Sequence, residues 1–142
     1  MMTFSGINYL AVFIAGLAGF GFGAVYYMSL ARPWMNAVGW TADQQAAHIK
    51  GELNPSKAPF AIAIAANFVM AWVLAGVIGH MGPVTVRSGL ISAAFIWFGF
   101  IITTLAVNYA FSGRKPMLTV IDGGHWLGVL LVMGAVIGAF GI

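Results

Sequence analysis

The chain has 142 residues, 61% of them hydrophobic, with only six Lys or Arg and three Asp or Glu, for a net charge of +3. Soluble domains carry about a quarter charged residues, and a fold of this size leaves roughly a third of its chain surface in contact with solvent. Disorder, a collagen-like rod and a soluble enzyme are therefore excluded, and a lipid bilayer is the expected solvent. The absence of Cys excludes disulfides and thiolate metal sites. The thinly spread basic residues form no nucleic-acid patch.

Four apolar stretches reach the ~20 residues needed to cross ~30 Å of hydrocarbon. In chain order they run over about 7–30, 58–81, 90–111 and 123–142. Pro59 suits the first turn of the second, and the fourth has an alternative start near Met117. The flank Met1–Gly6 lacks Lys and Arg and the first apolar run is too long for a cleaved signal peptide, so this helix is expected to be retained. None of the stretches alternates apolar and polar residues as barrel strands do. The expectation is an all-α membrane protein, with residues 1–142 forming a single domain of four transmembrane helices in a compact bundle. Arg32, Lys50, Lys57, Arg114 and Lys115 fall in the first and third connections, against Arg87 alone in the second. By the excess of positive charge in cytoplasmic loops, the first and third connections are cytoplasmic and both termini lie outside.

The first connection, 31–57, is the long one. Pro33 can start a helical turn through Trp34 and Met35 to Gly39, and Thr41 with Gln44 fits a capping box. That box opens a short helix over Ala42–Lys50, stopped by Gly51 and followed by a turn at Asn54-Pro55. The segment is expected to lie flat on the membrane surface. Trp34, Trp40, Tyr26 and Tyr27 would be its interfacial aromatics, with Arg32 and Arg114 at the same level; a binding lid is the alternative. A faint repeat pairs Val25, Tyr27 and Arg32 with Val107, Tyr109 and Arg114, as in two hairpins related by an axis along the membrane normal. Snorkelling at helix ends accounts for the same residues.

Helices in lipid associate through close backbone approach and polar contacts. Small residues line the first helix (Ala15, Gly19 and Gly23, widened by Gly16 and Gly21) and the second (Ala71, Ala75, Gly79). The fourth carries Gly124, Gly128, Gly134 and Gly138. One monomer can consume all these seams, so they permit an oligomer without requiring one.

Polar residues inside the bilayer are the default functional candidates. They are Asn8, Asn67, His80, Thr103, Thr104, Asn108, Asp122 and His125. Thr104 and Asn108 share one helix face, as do Asp122 and His125; all four lie toward the same membrane side as Tyr27, and with Tyr27 and Asn67 they make up the candidate intramembrane polar site. Asp122 precedes Gly123 and is expected to be the N-cap of the fourth helix, the alternative being a proton or cation role together with His125. Asn67 is expected to donate a hydrogen bond between helices. His80 and His125 lie at opposite membrane faces, so one haem iron cannot take both; single coordination of a pigment metal stays open at either. No metal site and no cofactor are expected. Asp43, Glu52 and Asp122 are isolated, and no nucleophile with a paired base is discernible.

Two segments carry a family resemblance. Gly23-Ala-Val-Tyr-Tyr27 followed by Trp34-Met35 resembles a Gly-x-x-Trp-Tyr-Ser-Pro…Trp-Met pattern. Asn108-Tyr-x-Phe-x-Gly-Arg114 followed by Ile121-Asp-Gly-Gly-His-Trp126 is the more specific match. Both are similar to the bacterial membrane proteins catalogued as domain of unknown function 1761. Met28-Ser29, Asp122 and His125 stand where that pattern commonly has Ser-Pro, Asn and Tyr. The resemblance covers nearly the whole chain and implies a small four-helix integral membrane protein with no established activity; a bacterial inner membrane is the expected location, with periplasmic termini by the charge asymmetry. The expected function is non-enzymatic: helix packing as a homo-oligomer or as an accessory subunit of a larger membrane complex, with lipid and membrane proteins as partners. A small-solute or proton/cation transporter and a pigment-binding subunit are the alternatives.

Overall fold

The structure, a computed structural model, describes residues 6–53 and 56–141; the turn expected at Asn54-Pro55 lies outside them. Asn8 caps the first helix, α1 (Tyr9–Ser29), accepting from the Ala11 amide at 3.1 Å. Two short helices follow, α2 (Ala31–Val38) and α3 (Ala42–Ile49). Gly39 ends α2 at φ 89°, a left-handed conformation that costs glycine little. The expected capping box is formed, with Thr41 and Gln44 exchanging bonds of 3.2 and 2.8 Å. Then come α4 (Ala58–Met81), α5 (Val86–Ile96), a π turn over Trp97–Ile101, α6 (Ile102–Phe111) and α7 (Pro116–Phe140). No strand occurs among the described residues.

Four helices are long and apolar enough to cross a membrane: α1, α4, the continuous stretch Val86–Phe111 and α7. The chain is a multi-pass membrane protein. Two expected boundaries shift. The third span begins at Val86 rather than near residue 90, because Thr85 and Ser88 form a second capping box. The fourth begins at Pro116 rather than Gly123, because proline at the first helical position is already set to helical φ.

The most buried helix is α7, packed against α1 on one side and α5 and α6 on another, while α4 packs on α1. Glycines set how closely they approach. A Cβ on Gly89 would collide with the Gly134 carbonyl oxygen, and one on Gly138 would collide with that of Thr85. Backbone thus meets backbone where α5 crosses α7. Along α1, the side chains of Phe68, Asn67 and His125 occupy the space beside Gly16, Gly19 and Gly23 respectively, with Asn67 contributing its amide oxygen and His125 its Nε2. Gly124 and Gly128 receive Tyr26 and Phe22. The seams are spent inside the monomer, except that Gly21 and Gly79 face open space.

The first and third connections meet at one end of the bundle, where Lys115 Nζ donates to the Asn36 carbonyl at 2.9 Å. This basic end also carries Arg32 and Arg114, both exposed. Gln45 ties α3 to α2 through the Asn36 side chain and the Trp40 carbonyl. The main core (Val12, Leu74, Ile78, Val129, Met133, Ile137 and neighbours) is apolar. A smaller cluster of Ala37, Leu118 and Ile121 lies under α2, with Tyr26, Tyr27, Trp34 and Tyr109 packed on it.

Candidate functional site

Asp122 does not cap a helix. It sits within α7, 8% exposed, and the helix continues on both sides of it. The 25 residues of α7 rise about 37 Å, longer than the ~30 Å hydrocarbon core. Asp122 stands about 9 Å from the first residue, a few ångström inside the hydrocarbon edge when the helix is centred. Its oxygens accept from phenols rather than from Lys or Arg. Tyr27 of α1 donates to Oδ1 at 2.6 Å and Tyr109 of α6 to Oδ2 at 2.5 Å. A local rule misled here: Asp before Gly signals a cap only where the helix has not already begun.

The neighbouring turn of α7 draws two more donors. Tyr26 donates to the Ile121 carbonyl at 2.7 Å, and Trp97 Nε1 donates to the Gly123 carbonyl at 2.8 Å. Three elements therefore converge on residues 121–123. Tyr26, expected as an interfacial aromatic, turns inward instead, and so does Tyr27, expected both there and in the candidate site. Trp97 and Tyr26 carried one usable signal in the sequence: an indole or phenol in an apolar span needs a hydrogen-bond partner.

His125 lies one turn further along α7, 7% exposed. Its ring packs against Trp126, Tyr27 and Tyr26, with centroids 4.5, 4.6 and 5.7 Å away. Its Nε2 faces Gly23, and Nδ1 is buried with no hydrogen-bond partner among the described residues. His80 is at the far end, its Nδ1 2.6 Å from the Gly76 carbonyl. No group of three His, Asp or Glu able to hold a metal ion is found among the described residues.

The other candidates separate from this cluster. Thr104 and Asn108 lie on the exposed face of α6, and Thr104 spends its hydroxyl on the Phe100 carbonyl; it is Tyr109, beside Asn108, that reaches the site. Asn67 is buried, 4% exposed, and does not donate between helices: its amide nitrogen bonds the Ala63 carbonyl of its own helix at 2.8 Å. A side-chain amide one turn from a carbonyl satisfies itself locally. Its oxygen, pressed against Gly19, has no partner among the described residues.

On the side of the basic end, α2 covers the cluster. Trp34 meets Tyr27 edge-on at 6.1 Å, and Trp40 meets Trp34 at 5.2 Å; Met35 and Ala37 are buried beneath. Arg32 stays exposed there. Away from this end the core beyond Asn67 is apolar, through Ala71, Leu74, Ile78 and Ile137.

No curated protein and no solved structure matches the chain. The family model described as protein of unknown function (DUF1761) matches residues 10–138, a stretch that contains all four apolar helices except their outermost turns and the whole Asp122 cluster. The chain belongs to the DUF1761 family.

Proposed function

We propose that the protein is a non-enzymatic transporter of protons or a small cation, with Asp122 as the centre of its ion site. The observation that carries this reading is an acidic side chain inside a membrane-spanning helix, buried, and held by tyrosines from two other helices. Ionisable groups are costly in a bilayer and face the bundle interior where they serve ion or proton pathways. The apolar core on one side and the α2 cover on the other make this an occluded arrangement. Purified protein in vesicles, followed with a pH-sensitive dye under imposed proton, sodium or potassium gradients, tests it. Flux above protein-free vesicles is expected, and Asp122→Asn should abolish it while leaving the helices folded. No flux in the wild type, or an unaffected Asp122→Asn, sinks the reading.

A second reading is a packing subunit in a bacterial inner-membrane complex or homo-oligomer. The barely buried stretch Val86–Phe111, with Phe95, Phe98 and Phe100 outward, favours it. The glycine seams no longer do, since they are filled from within. Native mass measurement after mild-detergent extraction decides; a stable lone monomer counts against it.

A further inference from the structure

Two histidines on long helices are treated differently by the fold. His80 lies 2.6 Å by its Nδ1 from the carbonyl one turn back, Gly76. The equivalent carbonyl for His125 is that of Ile121, and Tyr26 donates to it at 2.7 Å. His125 Nδ1 is left buried with no hydrogen-bond partner among the described residues, in a protein interior where such atoms are rarely left unmatched. One turn before it on the same face stands Asp122, and Tyr27 joins the two: its hydroxyl binds the carboxyl and its ring lies 4.6 Å from the imidazole.

Resting on the reading of Asp122 as an ion site, we propose that the ion is a proton and that His125 is the group that takes it up, with Asp122 as its counter-charge. A metal cation would need several oxygen or nitrogen ligands, and no group of three His, Asp or Glu that could hold one is found among the described residues. The imidazole is enclosed by three aromatic rings. A proton needs no volume and only a lone pair. Its uptake forms one N–H bond on the ring and leaves a cation beside the Tyr27 and Trp126 rings, an arrangement that aromatic rings favour. The titratable groups facing the ring are Tyr26 and Tyr27 from α1 and Asp122 from α7, with Tyr109 from α6 on the far side of the carboxyl. The side chain that α2 sets over Tyr27 is Trp34, which does not titrate.

The test is nitrogen NMR of the full chain in lipid nanodiscs with 15N-labelled histidine. His48→Gln and His80→Gln assign the third signal. The scan covers about three pH units either side of the ordinary imidazole value of ~6.5. The His125 ring should pass from the neutral to the doubly protonated signature within that window, and Asp122→Asn should weaken its proton affinity about tenfold, one pH unit. Tyr27→Phe should also move the midpoint, and it decides alone if Asp122→Asn does not fold. A ring that stays neutral throughout, or a midpoint that neither substitution moves, overturns the proposal. Titration without vesicle flux would leave this site standing and remove only the transport reading; flux without titration would do the reverse.

Discussion

Tyr27 and Tyr109 donate to the two oxygens of one carboxyl group, that of Asp122. They are also the central pair of the faint repeat linking Val25, Tyr27 and Arg32 to Val107, Tyr109 and Arg114. Equivalent positions on two spans thus grip a third from either side. Replacement of Asp122 should separate hydrogen bonding from packing. Asp122→Asn keeps one oxygen as acceptor and lets the amide donate to the other phenol, so its cost should stay below about 1 kcal/mol. Asp122→Leu leaves two phenols unmatched and should cost at least about 2 kcal/mol. Reversible unfolding in mixed micelles gives both values, and equal costs would mean that the tyrosines do not depend on Asp122.

The crossing of α5 and α7 is the tightest place in the bundle. A methyl group on Gly89 would collide with the Gly134 carbonyl oxygen, and no rotamer change can relieve a clash with backbone. Gly89→Ala should therefore force the helices apart and destabilise by about 1–3 kcal/mol or more. Gly21 is different: a methyl group there would have nothing within 4 Å. Gly21→Ala should stabilise by about 0.5–1 kcal/mol, the helical preference of Ala over Gly. Opposite signs in the same unfolding assay are the expected outcome.

Orientation can be read with single cysteines, since the chain has none of its own. Lys115 reaches Asn36, so Arg32→Cys and Arg114→Cys must be labelled from one side of the membrane. Arg87→Cys, in the first turn of α5 at the other end of the bundle, must be labelled from the opposite side. The charge asymmetry predicts the first pair on the cytoplasmic side. An impermeant maleimide applied to intact cells should then modify only Arg87→Cys. Labelling of Arg32→Cys and Arg114→Cys from different sides would break the topology itself.

Four spans were legible because their length and apolarity leave no other solvent. Their ends were less so. Thr85 and Ser88 close a capping box with Ser in place of the usual Glu or Gln, and Asp122-Gly123 imitates a helix start inside a helix that Pro116 has already begun. The site was half legible. Asp122, His125 and Tyr27 were candidates by residue type, and the repeat marked Tyr109 without offering it an acceptor. Thr104 and Asn108 were candidates on the same grounds yet face outward, because the rotation of α6 is set by a π turn that uniformly apolar residues do not announce.

That π turn brings two donors onto one face. Trp97 and Tyr109 both reach α7. In an unbroken α-helix, residues twelve apart point about 120° away from each other; a π turn absorbs one residue and reduces this to about 20°. The turn spans Trp97–Ile101, between the two donors, and Thr103 and Thr104 donate to the Gly99 and Phe100 carbonyls beside it. Gly99 has open space around it, so its deletion should restore a regular helix without a steric clash at that point. Trp97 and Tyr109 would then stand eleven apart in a regular helix, again about 20° from each other, so Tyr109 should stay on the α7 face. Tyr109→Phe should therefore cost the same with and without the deletion, about 1–3 kcal/mol for a bond to a charged or buried partner. A double-mutant cycle in mixed micelles reads this directly; a Tyr109→Phe that costs nothing in the shortened chain would show that removing the π turn breaks the bond to Asp122.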